Sequence, residues 1–219
     1  MNDLGPYNPP QIPFHDIIHV DEDLIVANKQ SGLLSVPGRG PEKQDCLIHR
    51  LQTEFPEASI VHRLDMQTSG VMVFARNKNA QSSLGRSFQN RDVDKNYQAW
   101  VLGCPRTQSG NIDLPLITDW PNRPRQKVDY ETGKASSTDW HILKVEKDRT
   151  LLSLTPITGR SHQLRVHLAE IGHPIIGDPL YAPPEALNLA PRLLLHAYTL
   201  TLPHPTTGNS VTFTAALPF

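Results

Sequence analysis

The chain has 219 residues, of which 38% are hydrophobic and 20% charged, with a net charge of -1. This is enough to bury a core without disulfide or metal staples, and no apolar run reaches the roughly 18 residues a membrane-crossing helix needs. Cys46 and Cys104 stand far apart in no metal-type spacing, as reduced thiols of a cytoplasmic protein would.

Residues 1–14 are polar and Pro-rich, lack the basic start and apolar centre of a signal peptide, and read as a loosely ordered arm. Residues 23–28 predict a buried strand, followed by a Gly-, Pro- and Ser-rich loop over 29–43. Asp45 is placed to cap a helix whose apolar stripe is Leu47, Ile48, Leu51 and Phe55, ended by Pro56. A polar loop over 65–69 leads into a second strand over 70–75. Leu84 and Phe88 mark a basic helix, and residues 97–102 form a third strand. Residues 138–145 and 150–154 predict a hairpin around Lys147-Asp148-Arg149. Ser161 is placed to cap a helix with the stripe Leu164, Leu168 and Ile171, with Gly172 at its C-terminal end. Residues 193–202 and 211–214 form a last strand pair. Strands outnumber helices and hairpins recur. The expected fold is therefore α+β, a mostly antiparallel sheet with a few flanking helices, in one domain over 1–219.

The near-neutral charge argues against a uniformly basic nucleic-acid binder. Its distribution is uneven, however: Arg76, Lys78, Arg86, Arg91 and Lys95 form one cationic stretch, Arg123, Arg125 and Lys127 a second, and Arg160, His162, Arg165 and His167 a third. Such clusters can give one basic face to a neutral protein.

Three stretches combine reactive side chains with glycine-bounded loops: His62-Arg-Leu-Asp-Met-Gln-Thr-Ser-Gly70, Lys95-Asn-Tyr97, and Thr158-Gly-Arg-Ser-His-Gln-Leu-Arg-Val-His167. Asp65, taken alone, reads as a turn-forming residue bonded to its own backbone. His62 and Arg63 beside it raise the alternative of a reactive carboxylate, which needs a nearby cation to stay ionised. Tyr97 reads as strand packing or as a stacking surface for a base. Arg165 lies between core positions of its helix, so its guanidinium is expected in a partly buried region, beside a carboxylate. His162 and His167 are five apart and fall on different faces of a helix, which disfavours a zinc pair. Neither a phosphate-binding glycine loop nor a Gly-x-Ser-x-Gly elbow is present.

The stretch His62 to Gly70 resembles the defining motif of the RluA family of pseudouridine synthases. Asn28-Lys-Gln-Ser-Gly-Leu-Leu-Ser-Val-Pro-Gly38 resembles the family's upstream motif, with Gln30 where a proline is common. Lys95-Asn-Tyr97, Gly159 to His167, Leu195-His-Ala197 and His204-Pro-x-x-Gly208 complete the set in order over essentially the whole chain. Many relatives carry an N-terminal S4-like RNA-binding domain, for which this chain is too short.

The resemblance implies isomerisation of uridine to pseudouridine in structured RNA, with 23S rRNA and the tRNA anticodon stem-loop as the targets of the members it most resembles. Substrate and product are isomers, so no cofactor or metal is implied. Asp65 is then the nucleophile, Arg165 its ionic partner, and Tyr97 both the packing surface for the uracil and the acceptor of its C5 proton. Arg63 fills the space left by the flipped nucleotide, and His62, Arg160, His162, Arg123 and Arg125 are expected to contact RNA. A monomer is expected. The alternatives are a catalytically inactive RNA-binding module of the same fold and a metal-dependent hydrolase built from the histidines.

Overall fold

The structure, a computed structural model, describes residues 6–219. In chain order the strands and helices are β1 (Ile17–Val20), β2 (Leu24–Lys29), α1 (Leu47–Gln52), β3 (Ser59–Ile60), β4 (Ser69–Ala75), α2 (Lys78–Asn90), β5 (Asp94–Leu102), β6 (Ser109–Asp113), β7 (Leu116–Thr118), β8 (Gln126–Val128), β9 (Ser137–Glu146), β10 (Arg149–Pro156), α3 (Gln163–Glu170), α4 (Pro184–Leu187), β11 (Leu195–Pro203) and β12 (Ser210–Thr214). This is the expected α+β class. Contacts divide the described chain into two compact units, one of residues 6–95 and 196–218 and one of residues 96–195 with Phe219.

In the first unit β2 pairs antiparallel with β1 and with β4, from Leu24 opposite Ala75 to Lys29 opposite Gly70. Every residue of β4 is buried, as the continuous apolar run Gly-Val-Met-Val-Phe-Ala requires of a strand covered on both faces. β11 runs parallel to the start of β4 and pairs antiparallel with β12. α2 covers this sheet. Asn77 caps it by accepting the Ala80 N–H at 2.8 Å, and Ala80, Leu84 and Phe88 project into a cluster with Val26, Val71, Val73 and Leu200.

In the second unit β5, β10, β9 and β6 form an antiparallel run, with Tyr97 opposite Leu154. The expected hairpin is β9 and β10, turned at Lys147, which has φ 48°. α3 packs Leu164 and Leu168 against Val101, Leu152 and Leu154. β7 and β8 form a separate two-stranded hairpin.

Two expected caps are absent. α1 starts at Cys46 without a side-chain cap, and Asp45 instead receives Arg50 Nε at 2.6 Å and Nη2 at 2.7 Å. Arg50 is 1% exposed and needs that carboxylate more than the helix end does. Its Nη1 also donates to Pro10 O and Phe14 O, and Tyr7 donates to Asp45 O, so residues 7–14 are tied against α1 where a loose arm was expected. Residues 1–5 of that arm lie outside the described residues. At α3 the cap position is His162, not Ser161. Anchoring there comes from Gln163, whose Oε1 accepts from Arg160 N–H and Thr158 Oγ1 while its Nε2 donates to Ser137 O.

Asp45→Ala separates the two roles of that carboxylate. Loss of an N-cap costs about 1 kcal/mol, whereas stranding the buried Arg50 costs about 3 kcal/mol. Urea unfolding should give the larger loss, and Arg50→Met added to Asp45→Ala should recover part of it.

Candidate active site

Asp65 sits in a reverse turn closed by Thr68 N–H donating to Asp65 O at 3.1 Å. The turn forms because the chain must reverse between the loop from His62 and the entry of β4, and its side chain is half-buried. What fixes it is the 29–35 loop. Lys29 is 0% exposed, and its ammonium donates to Gln30 O (2.9 Å), Leu33 O (2.6 Å) and Met66 O (3.0 Å). Ser31 Oγ donates to Gln67 O, Gly32 N–H to Met66 O, and Ser35 Oγ to Leu64 O while accepting Leu64 N–H. The residues on both sides of Asp65 are thereby held through their carbonyls. Among the described residues two buried side-chain oxygens lack a hydrogen-bond partner, Gln30 Oε1 and Thr68 Oγ1, and both belong to these two loops.

The exit of the turn is fixed from the other side. Gly70 has φ 115°, and a Cβ there would lie 2.2 Å from Ala197 O, so only glycine lets β4 approach β11. Next to it Ser69 Oγ meets His196 Nδ1 at 2.9 Å, while His196 Nε2 is 3.2 Å from Ala215 O. A carbonyl only accepts, so Nε2 carries a proton, and on a neutral ring Ser69 is then the donor to Nδ1.

His62 faces inward. Its Nε2 accepts the Val73 N–H at 3.0 Å and its ring stacks on Phe88 with centroids 4.6 Å apart. Burial, aided by the Lys95 ammonium, holds its pKa down to about 3, so the imidazole is a neutral acceptor for the sheet edge beyond β3. Arg63, next in the chain, is exposed.

In the second unit Arg165 is 2% exposed and grips Asp178, itself 1% exposed, by a two-bonded fork: Nε to Oδ2 at 2.8 Å and Nη2 to Oδ1 at 2.7 Å. Leu180 and Tyr181 N–H also donate to Asp178 Oδ1. The expected carboxylate beside Arg165 is thus at least in part Asp178, which sequence reasoning missed. The signal was the demand of a buried guanidinium itself, with Asp178 in the Gly-Asp-Pro turn that follows its helix. Tyr181, also missed, lies with its ring 5.1 Å from the Arg165 guanidinium. Its hydroxyl accepts Gln126 N–H at 2.8 Å and meets His162 Nδ1 at 2.6 Å. His162 adopts φ 54°, a conformation uncommon outside glycine. Tyr97, half-buried, packs on the cluster that holds Leu164 and Leu168. Arg165, His162 and the backbone beyond Arg125 thus converge on Tyr181.

Arg123 and Arg125 lie in the β7–β8 loop and Arg160 is exposed with Nε on Ala135 O. His167 is buried, its ring nitrogens on Thr138 Oγ1 and Leu114 O. Of the first cationic stretch, Arg76 is taken up by Glu57 at 2.7 Å and Lys95 is half-buried, leaving Lys78, Arg86 and Arg91 exposed.

The class of the protein, an RNA pseudouridine synthase, follows from its similarity to known proteins. A family model described as RNA pseudouridylate synthase matches residues 23–170, more than half of the chain. The chain is 55% identical to a protein named dual-specificity RNA pseudouridine synthase RluA from Salmonella typhi, over 94% of this chain and 95% of that one. It is 54% identical to the protein of that name from Escherichia coli (strain K12), over 97% and 98% respectively. Among solved structures, human RNA Pseudouridylate Synthase Domain Containing 1 is similar with a TM-score of 0.81 at 29% identity, covering 97% of this chain and 87% of that one. The chain belongs to the RNA pseudouridylate synthase family, and its activity is the isomerisation of uridine in RNA to pseudouridine.

The neutral His62 has a consequence for stability. With a folded pKa of about 3 and an ordinary value of 6.5, the unfolded chain binds the extra proton between those limits. The contribution of His62 is complete above the upper limit and lost as the pH falls through the window. Burial lowers His167 in the same direction, and Asp21, held down to about 2, acts only below the ordinary carboxylate range. Thermal melts should therefore show Tm falling between pH 7 and pH 5. His62→Gln, which keeps an acceptor for Val73 N–H without titrating, should make that decline shallower; an unchanged slope would refute it.

Proposed function

We propose that this chain acts on defined uridines of 23S rRNA and of the tRNA anticodon stem-loop, as a cofactor-free monomer in the cytoplasm, with the whole chain as one catalytic domain. The observation that carries the target assignment is the 54% identity, over 97% of the chain, to a relative whose name records dual specificity. The reaction breaks the C1′–N1 bond, turns the uracil and joins C5 to C1′, while the proton on C5 leaves and N1 regains one. Atoms balance without an oxidant or energy source.

Asp65 is assigned as the nucleophile. Its support is the fixed turn, since a carboxylate whose neighbours are clamped through Met66 O and Gln67 O meets a reacting carbon without reorganising. Arg165, oriented by Asp178, is assigned to keep the Asp65 carboxylate ionised. Tyr97 packs on the uracil and takes the C5 proton. Arg63, exposed beside the turn, fills the place of the extruded base. Extrusion costs a few kcal/mol and least in a loop, which favours stem-loops over regular duplex. Arg123, Arg125, Arg160 and His162 are assigned to RNA contact. His62, neutral and turned inward, acts through the shape of the loop.

Asp65→Asn keeps the shape and removes the anion. Product formation should fall below about one per cent of wild type, while RNA affinity stays within several-fold. Arg165→Lys keeps the charge and loses the fork, so kcat should fall at least about tenfold in a folded protein; a near wild-type rate would remove Arg165 from the reaction. For the targets, pseudouridine mapping in total RNA from a strain lacking this protein should show loss at both an rRNA and a tRNA position. Both should return with the wild-type chain and not with Asp65→Asn.

A further inference from the structure

The β7–β8 loop carries the second unit's most exposed tryptophan. Trp120 is 64% exposed, whereas Trp100 and Trp140 are 7% and 8%. The guanidinium of Arg123 lies 4.5 Å from the Trp120 ring centroid, covering part of the ring and leaving the rest in solvent. The loop beneath is braced. Asp119 N–H donates to Arg125 O (3.0 Å), Asn122 N–H to Asp119 O (3.0 Å), and Arg125 N–H to Asn122 O (3.1 Å). Asn122 Nδ2 reaches Asp119 Oδ2 (2.9 Å), and Gln126 N–H is held by the Tyr181 hydroxyl. Between Asp119 and Lys127 the charged side chains are Asp119, which is bonded within the loop, Arg123, Arg125 and Lys127, whose ammonium is 3.7 Å from Asp129.

Exposing a large apolar ring costs hydration free energy, and a loop with this many internal bonds does not need the ring to hold its shape. A flat aromatic face, backed by a guanidinium and set among cations, matches one kind of partner: an unpaired base whose flanking phosphates meet the cations. We propose that Trp120 is a stacking platform for an unpaired base of the RNA substrate outside the reacting uridine, with Arg123 closing the stack and Arg125 and Lys127 meeting the backbone. The proposal rests on the RNA-modifying reading above. It makes the loop a reader of loop shape rather than of sequence, because every base has a face to stack. The rigid link from Gln126 N–H through Tyr181 to the Arg165 side chain then ties the position of that platform to a residue assigned to the reaction.

The test uses the full chain and a synthetic anticodon stem-loop RNA. Trp120→Ala should weaken binding about tenfold, the effect of about 1.4 kcal/mol for one stacked base, and raise KM while leaving kcat within about twofold. Trp120→Phe should retain most of the affinity, and Trp120→Leu, apolar but without a π-face, should behave like the alanine variant. In the wild type the RNA should shield fluorescence from acrylamide quenching, and this shielding should vanish in Trp120→Phe, whose remaining tryptophans are buried. A wild-type chain that makes no pseudouridine in any RNA would overturn the parent reading. An active wild type with unchanged binding by Trp120→Ala, or with leucine serving as well as tryptophan, would overturn the platform alone.

Discussion

The ammonium of Lys29 is the constraint on which the Asp65 turn depends. A lysine with no exposed surface is costly unless each of its donors is satisfied, and here three backbone carbonyls do so. Two of them lie in its own loop and the third is Met66 O, one residue past Asp65. The charge that must not be left bare therefore draws the two loops together. The conformation of the upstream Gly- and Ser-rich stretch becomes the geometry of the turn. The unsatisfied oxygens of Gln30 and Thr68 lie in the same place, so this pair of loops carries uncompensated polar groups as well as a strong clamp.

The second unit solves a like problem by another means. Its buried cation is an arginine, whose planar fork suits a carboxylate rather than scattered carbonyls. Asp178 takes two nitrogens and is itself held by two backbone N–H groups, which leaves it little freedom. Tyr181 then places its ring by the guanidinium and its hydroxyl between His162 and the β7–β8 backbone. One tyrosine thus joins a helix start in an uncommon backbone conformation to a cationic loop distant in sequence.

The sequence made legible what periodicity and burial dictate. β4 was evident from an unbroken apolar run, α2 from Leu84 and Phe88, and α3 from Leu164, Leu168 and Ile171. β6, with the sequence Ser-Gly-Asn-Ile-Asp, was not: it is an edge strand, mostly exposed, held by β9 rather than by its own propensity. The helix caps failed for a related reason. Asp45 is a good cap in isolation, but the burial of Arg50 a turn later claims it, and no local pattern weighs the two. In the site, the motif residues were legible and their supports were not. His62 reads like a ligand for RNA, yet the Val73 N–H and the Phe88 ring turn it inward. Asp178 and Tyr181 carry no motif signal and emerge only from where Arg165 must find its partners.

The parallel contact of Gly70 with Ala197, and the bond of Ser69 to His196, span 127 positions of the chain. Closing so long a loop is slow relative to local structure. During synthesis the Asp65 turn can be clamped early by Lys29, since those residues are near neighbours. Its far side stays open until β11, 127 positions further along, has been made. A chain lacking β11 would carry every residue of the main motif and still lack the wall that sets the exit of the turn.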